Sequence, residues 1–317
     1  MPREGSGETR PRTDRVASDR RPRAHLNDHA GGGLPAAGSA GWSPGRRRAP
    51  LPTRVDGLPQ LPPSFDHALA DGLAELRASG AAVNLSVVAR EAISLQVRLL
   101  IAWNDAINLT SIADPDRIAT LHVIDSLTGL PLLAAQAARQ GGPLRILDIG
   151  SGAGYPGLVL AAAVSEAQVT LVESVAKKAR FLEAAAAATG LADRVTVVAD
   201  RIEALAPRVR SGATPPFDVV TARAVGSLAN LVELAFPVLR VGGELIAWKR
   251  GDVAAEVAAA ELAVTSLGGG TIDVYEPRVP ALPGHVLVVC RKAGATSAAY
   301  PRDPARRRSH PWGATKG

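Results

Sequence analysis

Cysteine is nearly absent: Cys290 stands alone among 317 residues. No disulfide can close within the chain, which suits a reducing compartment. In the apolar run His285–Cys290 the thiol reads as a small buried hydrophobe. Methionine occurs once, at position 1, and aromatic residues make up only 3%. No apolar stretch approaches the ~20 residues that cross a bilayer. The N-terminus is charged and proline-rich and lacks the hydrophobic core of a secretory signal. No His, Cys, Asp or Glu cluster has metal-ligand spacing, so no metal is expected. These absences point to a cytoplasmic protein with no membrane anchor. An apolar fraction of 46%, much of it alanine, is enough for one or two domains.

The net charge of +6 is unevenly laid out. Residues 1–60 hold 11 arginines against 6 acids, and residues 291–317 hold 7 basic groups against 1 acid. The stretch between them holds 18 basic and 23 acidic groups. Basic ends attract polyanions, nucleic acid first among them, although a solvated tail explains the first 60 residues equally well. Residues 1–60, with Gly31-Gly32-Gly33, scattered prolines and Arg46-Arg47-Arg48, have no apolar periodicity and read as a disordered extension. A helical region is expected over 61–140, a nucleotide-binding domain over 141–292 and a basic tail over 293–317.

In the helical region, Ser64 reads as the cap of a helix reaching about Ser79, with Phe65, Leu69, Leu73 and Leu76 on one face. Asn84 or Ser86 caps a second, with Val88, Ala92, Leu95, Leu99 and Ala102 as its buried stripe. Trp103 to Thr110 reads as a polar turn. Asp114-Pro115 is an N-cap followed by proline at the first helical position, and the helix it opens carries His122 and Asp125 one turn apart. From residue 144 strands and helices alternate. Strands are expected near 144–149, 168–173, 194–198, 217–221, 243–248, 271–276 and 285–291, and helices over 175–189 and 226–239. The proline-bearing link between the last two strands suits an antiparallel return.

The most informative stretch is Leu144-Arg-Ile-Leu-Asp148-Ile-Gly150-Ser-Gly152-Ala-Gly154-Tyr155-Pro156-Gly157. An apolar strand ends in an acid and enters a turn whose glycines let a ligand approach the backbone, as at the carboxyl edge of an open α/β sheet. A second acid, Glu173, closes the next apolar run. Two acids at adjacent strand ends suit a ligand with a cationic group and a ribose diol, such as S-adenosyl-L-methionine. Gly152 to Gly157 also satisfies the G-x-G-x-x-G fingerprint, so an NAD(P)-type oxidoreductase remains a competing reading. Asp148 next to a pyrophosphate, and the N–H missing from Pro156, count against it.

The motifs together resemble one family, the bacterial small-subunit ribosomal RNA guanine-N7 methyltransferases, also called the glucose-inhibited division protein B family. The resemblance runs over about residues 100–302. It rests on Trp103-Asn104 through Asn108-Leu109-Thr110-Ser111, His122-Val-Ile-Asp125-Ser126, the glycine stretch, Glu173-Ser with Lys177-Lys178, Arg201-Ile202-Glu203, Ala222-Arg223-Ala224-Val225, Lys249 and Tyr300-Pro301-Arg302. Tyr155 departs from the smaller or non-hydroxyl apolar residue more usual there.

The resemblance implies a class I S-adenosyl-L-methionine-dependent methyltransferase fold, a Rossmann-like seven-stranded sheet with its last strand antiparallel, preceded by helices. It implies a cofactor site made by Asp148, Gly150, Gly152, Tyr155, Glu173, Ile202, Glu203 and Arg223, with Arg223 beside both cofactor and substrate as the candidate catalytic residue. The implied reaction is methylation of N7 of a guanine in the 530 loop of 16S ribosomal RNA, on the small subunit or its precursor, with no obligate protein partner. Lys177, Lys178, Arg201, Lys249 and Arg302 are the expected RNA contacts, with Arg180, Arg306, Arg307 and Arg308 further candidates. His122 and Asp125 read as a structural pair, and Trp103 as a core or hinge residue. A non-catalytic RNA-binding ribosome-assembly factor is the alternative outside enzymology.

Overall fold

A computed structural model describes residues 51–312. Six helical pieces precede the sheet among the described residues. Helix α1 (Pro63–Ala78) buries Phe65, Leu69, Leu73 and Leu76, the face expected from its spacing. Helix α2 (Val87–Ile107) is capped by Ser86, whose hydroxyl accepts from Ala89 N at 3.1 Å. It runs through Trp103 to Ile107, so the polar turn expected from Trp103 starts only at Asn108, a left-handed C-cap with φ of 50°. Of its expected stripe Ala92 and Leu99 are buried, but Val88 is 74% exposed, and Ile93, Gln96, Val97, Leu100 and Trp103 are inside as well. Trp103 is drawn inward by an edge contact with Phe181, 5.5 Å between ring centres, and by donating to Pro52 O at 2.6 Å.

Asp114 caps α3 (Pro115–Ile118), accepting from Arg117 N at 2.9 Å. The chain continues as a π-helical segment, Ala119–Ile124, then α4 (Asp125–Leu127) and α5 (Leu130–Gln140). Contrary to the expectation of no membrane-length run, Pro115–Gln140 is long and apolar enough to cross a bilayer by composition. Its apolar window is 56% buried inside the fold, as for a core helix.

The sheet has seven strands: β1 (Arg145–Ile149), β2 (Gln168–Val172), β3 (Val195–Val198), β4 (Phe217–Arg223), β5 (Leu239–Arg250), β6 (Gly269–Tyr275) and β7 (His285–Lys292). Their order is β3-β2-β1-β4-β5-β7-β6. The first five are parallel, and β7 inserts antiparallel between β5 and β6. This is the class I methyltransferase sheet expected above. Helices α6 (Gly157–Ala163), α7 (Ala176–Ala188), α8 (Leu205–Arg210), α9 (Leu228–Ala235) and α10 (Ala254–Ser266) cover it.

Alternation along the strands divides the core in two. Ile146, Val219, Ile246 and Leu287 pack with α1, α2, α6 and α7. Leu147, Val220, Leu245 and Val288 pack with α9 and α10. Cys290 lies in the second core, fully buried, its thiol pushed up to about 12 by burial.

Both ends of the described chain pack onto this body. Residues 51–60, expected within a disordered extension, are held by α2: Arg98 donates to Val55 O, Leu58 O and Pro59 O at 3.2, 2.6 and 2.9 Å. Three carbonyls gathered on one guanidinium, with Leu51, Val55 and Leu58 packed against the first core, hold a segment that has no apolar periodicity. Residues 1–50, the remainder of that expectation, lie outside the described residues. At the other end, the basic tail forms α11 (Pro304–Ser309), capped by Asp303, and Trp312 stacks on Tyr300 at 5.9 Å.

Candidate functional site

Strands β1, β2 and β4 are adjacent and parallel, so Ile149, Val172 and Arg223 end at one edge of the sheet. The glycine loop leaves β1 there. Gly150 has a φ of +67°, and a Cβ on it would meet Val225 Cγ2 at 2.8 Å. The loop is tied down on both flanks. Gly150 N and Ser151 N donate to Val172 O, Gln96 Nε2 on α2 donates to Ala153 O at 3.2 Å, and Gly152 N donates to Glu173 Oε2 at 3.0 Å. Glu173 Oε1 accepts from Val175 N at 2.8 Å, so this acid braces the loop against β2 with both oxygens. Gln96, 1% exposed, carried no motif signal: an amide on a helix face shows its use only when the loop arrives.

Asp148 behaves differently from the ligand-facing acid expected. It is 1% exposed; Oδ1 accepts from Thr221 Oγ1 at 2.7 Å and Oδ2 from Gly157 N at 3.3 Å. It latches β1 to β4 and to the first turn of α6. Burial pushes its carboxyl up to about 6, against hydrogen bonds that favour the charge. The same arrangement removes the anion site that a dinucleotide would need. Pro156 has no N–H, Gly157 N is given to Asp148 and Leu158 N to Gly154 O.

On one side of the loop lies a closed polar cluster. Tyr155, 4% exposed, stacks on His122 with ring centres 4.7 Å apart, and the Arg223 guanidinium sits 5.3 Å over its ring. Arg223 Nη1 donates to Asp125 Oδ2 at 3.0 Å and Leu121 O at 3.2 Å, while Nη2 lies 3.2 Å from His122 Nδ1. Asp125 also accepts from His285 Nδ1 at 2.8 Å, and its backbone oxygen from Trp248 Nε1 at 2.8 Å. Burial and then Arg223 push His122 down to about 4, so it is neutral at physiological pH. His122 Nε2 meets Thr110 Oγ1 at 2.8 Å, and Asn104 holds Thr110 by its N–H and carbonyl, both at 2.9 Å. His122 lies in the π-helical turn, a feature frequent at functional sites. Ala224, next after Arg223, has a φ of +58°, a left-handed strain that a non-glycine residue holds only when its surroundings enforce it. His285 was not singled out in the sequence; its partner Asp125 lies 160 residues away.

On the other side is an open cleft of about 200 Å³, lined by Gly150, Ser174, Asp200, Ile202, Glu203 and Val225 among others. It brings together the expected Gly150, Ile202 and Glu203, and adds Asp200, which follows β3 and carried no motif signal. Glu203 Oε1 accepts from Arg201 Nη2 at 3.0 Å and from Arg307 Nη2. Burial opposes the charge of Glu203, hydrogen bonds led by that from Arg201 more than offset it, and its pKa falls below the usual carboxylate value. The cleft fits a nucleoside-bearing cofactor. Its floor is a glycine whose Cβ would strike the facing Val225, and its rim is a row of hydrogen-bonding groups at the strand ends.

The expected RNA contacts divide. Lys177 is exposed and Lys178 half-buried at the start of α7, and Arg201 is exposed. Lys249 is taken up by Glu256 Oε1 at 2.6 Å and Gly226 O at 3.1 Å. Arg302 grips Glu233, with Nε 2.9 Å from Oε1 and Nη2 2.6 Å from Oε2, and packs 4.7 Å from the Trp312 ring centre. Both therefore hold the fold rather than offer a free charge. Spacing along the chain does not reveal these acids as their partners.

The family described as rRNA small subunit methyltransferase G matches residues 89–276, which span every element of this site up to β6. Proteins named ribosomal RNA small subunit methyltransferase G are similar along much of their length. The one from Roseiflexus castenholzii is 45% identical over 205 residues, covering 63% of this chain and 82% of the relative. That from Sorangium cellulosum is 40% identical over 259 residues, covering 81% of this chain and 99% of the relative. That from Symbiobacterium thermophilum is 36% identical over 219 residues, covering 67% and 85%. With the sheet order, the braced glycine loop and the strand-end cleft agreeing, this chain belongs to the rRNA small subunit methyltransferase G family.

Proposed function

We propose that this protein transfers the methyl group of S-adenosyl-L-methionine to N7 of a guanine in the 530 loop of 16S ribosomal RNA, acting in the cytoplasm on the small subunit or its precursor. The observation that carries this reading is the cleft over Gly150, rimmed by Ile202 and Glu203 and adjoining the loop that Glu173 braces. Gly150, Gly152, Ile202, Glu203 and Glu173 would hold the cofactor, which when bound supplies an electrophilic methyl on a sulfonium. Guanine N7 carries a lone pair and no proton at neutral pH, so no general base is needed. Alignment at about 3–3.5 Å and exclusion of water are what the chain must provide.

Tyr155 and Arg223 form the wall through which that alignment is kept. The methylated base is cationic, and a bare arginine beside it would oppose the reaction. Asp125 offsets the charge of Arg223 at 3.0 Å. N7 lies in the deep, narrow major groove of A-form RNA, so the target base must be in a loop or opened junction. Lys177, Arg180, Arg306 and Arg308 are exposed and would meet its phosphates, while Arg201, also exposed, is shared with Glu203 at 3.0 Å.

The test is mass spectrometry of small-subunit rRNA nucleosides from cells lacking the protein. One N7-methylguanosine is expected to disappear and to return with the gene but not with a Glu173→Ala variant. An unchanged nucleoside profile in the deletion overturns the proposal.

A further inference from the structure

The tail contributes one group that neither the motif reading nor the fold requires. Arg307, on α11, is only 9% exposed. Its Nη2 donates to Glu203 Oε1, while Nη1 is buried with no partner among the described residues. A buried guanidinium N–H without an acceptor is costly, and such an orphan calls for a ligand. Arg307 lines the cofactor cleft alongside Glu203, Asp200 and Ile202. It also lines an adjoining cleft of about 340 Å³ with Arg201, Asn230, Glu233 and Trp312. The tail is held in this place firmly. Glu233 is 0% exposed and accepts from the side chain and backbone of Arg302 and from Trp312 Nε1 at 2.6 Å.

We infer that the C-terminal helix is a wall of the cofactor site, and that Arg307 joins Glu203, whose place at the adenine end the family resemblance already implies, in reading the base. The inference rests on the functional reading above. Glu203 takes both of its arginine donors on Oε1, which leaves Oε2 as an acceptor, and Arg307, which lines the same cleft, has in Nη1 a buried donor without a partner among the described residues. An acceptor beside a donor matches the edge of adenine, where the 6-amino group donates and N1 accepts. Hypoxanthine presents the reverse, an acceptor at O6 and a donor at N1, and leaves both protein groups unsatisfied. A site that hydrogen-bonds a base edge rejects the reversed edge strongly, because its own buried polar atoms are then orphaned.

The experiment is calorimetric titration of the full-length chain with S-adenosylhomocysteine and with S-inosylhomocysteine, with thermal unfolding of each variant alongside. The parent protein is expected to prefer the adenine ligand. Arg307→Ala is expected to weaken adenine-ligand binding by about ten- to a hundredfold and to shrink the preference. Arg307→Lys keeps the charge without the fork and is expected to lose most of the preference while remaining folded. Glu203→Gln, able to turn an amide donor toward O6, is expected to improve relative binding of the inosine ligand. If the parent binds S-adenosylhomocysteine and all three variants keep its affinity and preference, Arg307 only fastens the tail and the inference is overturned. If the parent binds neither ligand, the functional reading falls as well.

Discussion

The two sides of the glycine loop use arginine in opposite ways. On the Tyr155 side, Arg223 is 17% exposed as a side chain, and its acceptors, Asp125 and Leu121 O, are part of the fold. On the cleft side, Arg201 is 58% exposed, and Arg307 keeps a buried N–H in reserve. On the first side the charged groups are paired within the fold and give the loop a rigid backing, although Tyr155 OH and His285 Nε2 are buried there without a partner among the described residues. The second leaves hydrogen-bonding capacity unused and is where binding gains free energy. A site that must both orient and bind divides those tasks because a group already paired inside the fold has little left to offer a ligand.

Removing one arginine from each side breaks or confirms that contrast. Arg223→Ala removes the cation from the buried Asp125 Oδ2, leaving the carboxylate to His285 on Oδ1, and is expected to cost about 3 kcal/mol of stability in urea unfolding, most of it recovered by adding Asp125→Asn. Arg201→Ala, at an exposed ion pair, is expected to change stability by less than about 1 kcal/mol. Equal losses for the two would contradict the division.

A second contrast lies in the backing itself. Asp148 has its pKa raised from 3.8 to about 6, so its contribution to stability is full below 3.8 and lost as pH rises through 6. His122 has its pKa lowered from 6.5 to about 4, so its contribution is full above 6.5 and lost as pH falls through 4. Between pH 4 and 6 the two oppose each other, and the parent is expected to show little net slope from them. Asp148→Asn leaves His122 alone, and stability should then fall on acidification by about 3 kcal/mol; His122→Asn should reverse the sign. Parallel pH profiles for the two variants would show that the groups are not perturbed in opposite directions.

The smallest effect concerns free and committed cations. Lys177→Ala is expected to leave stability within about 0.5 kcal/mol and to reduce the slope of log affinity for RNA against log salt by about 0.7. Lys249→Ala, which breaks the bond to Glu256, should lower the melting temperature with no change in that slope. The reverse outcome would place Lys249, not Lys177, on the RNA.

Much of this was legible in advance. Apolar runs lying within a few residues of their strands mark the inner sheet because strands buried on both faces cannot be polar, while the edge strand β6 has no buried residue. For the same reason the direction in which Asp148 points was not legible: with apolar neighbours on both sides, period-two patterning does not say whether an acid faces a ligand or a neighbouring strand. The end of α2 was misplaced because Asn104 and Asp105 look like turn residues. Packing of Trp103 on Phe181 carries the helix past them. The order of residues 51–60 is not legible locally because it comes from Arg98 binding their carbonyls and from Leu51, Val55 and Leu58 packing on the core without a regular period.

By itself the sequence determined the alternation of strands and helices, the glycine turn at the end of β1 and the acids that follow it, since these depend on local sterics and on which residues tolerate burial. Only the tertiary structure decided which charges remain available. Lys249, Arg302 and Arg307 resemble Lys177 in the sequence, yet each meets an acid, and for Arg302 and Arg307 that acid lies 69 and 104 residues away. Pairing of charges is set by distance in space, and a linear chain does not display that distance until its cores have closed.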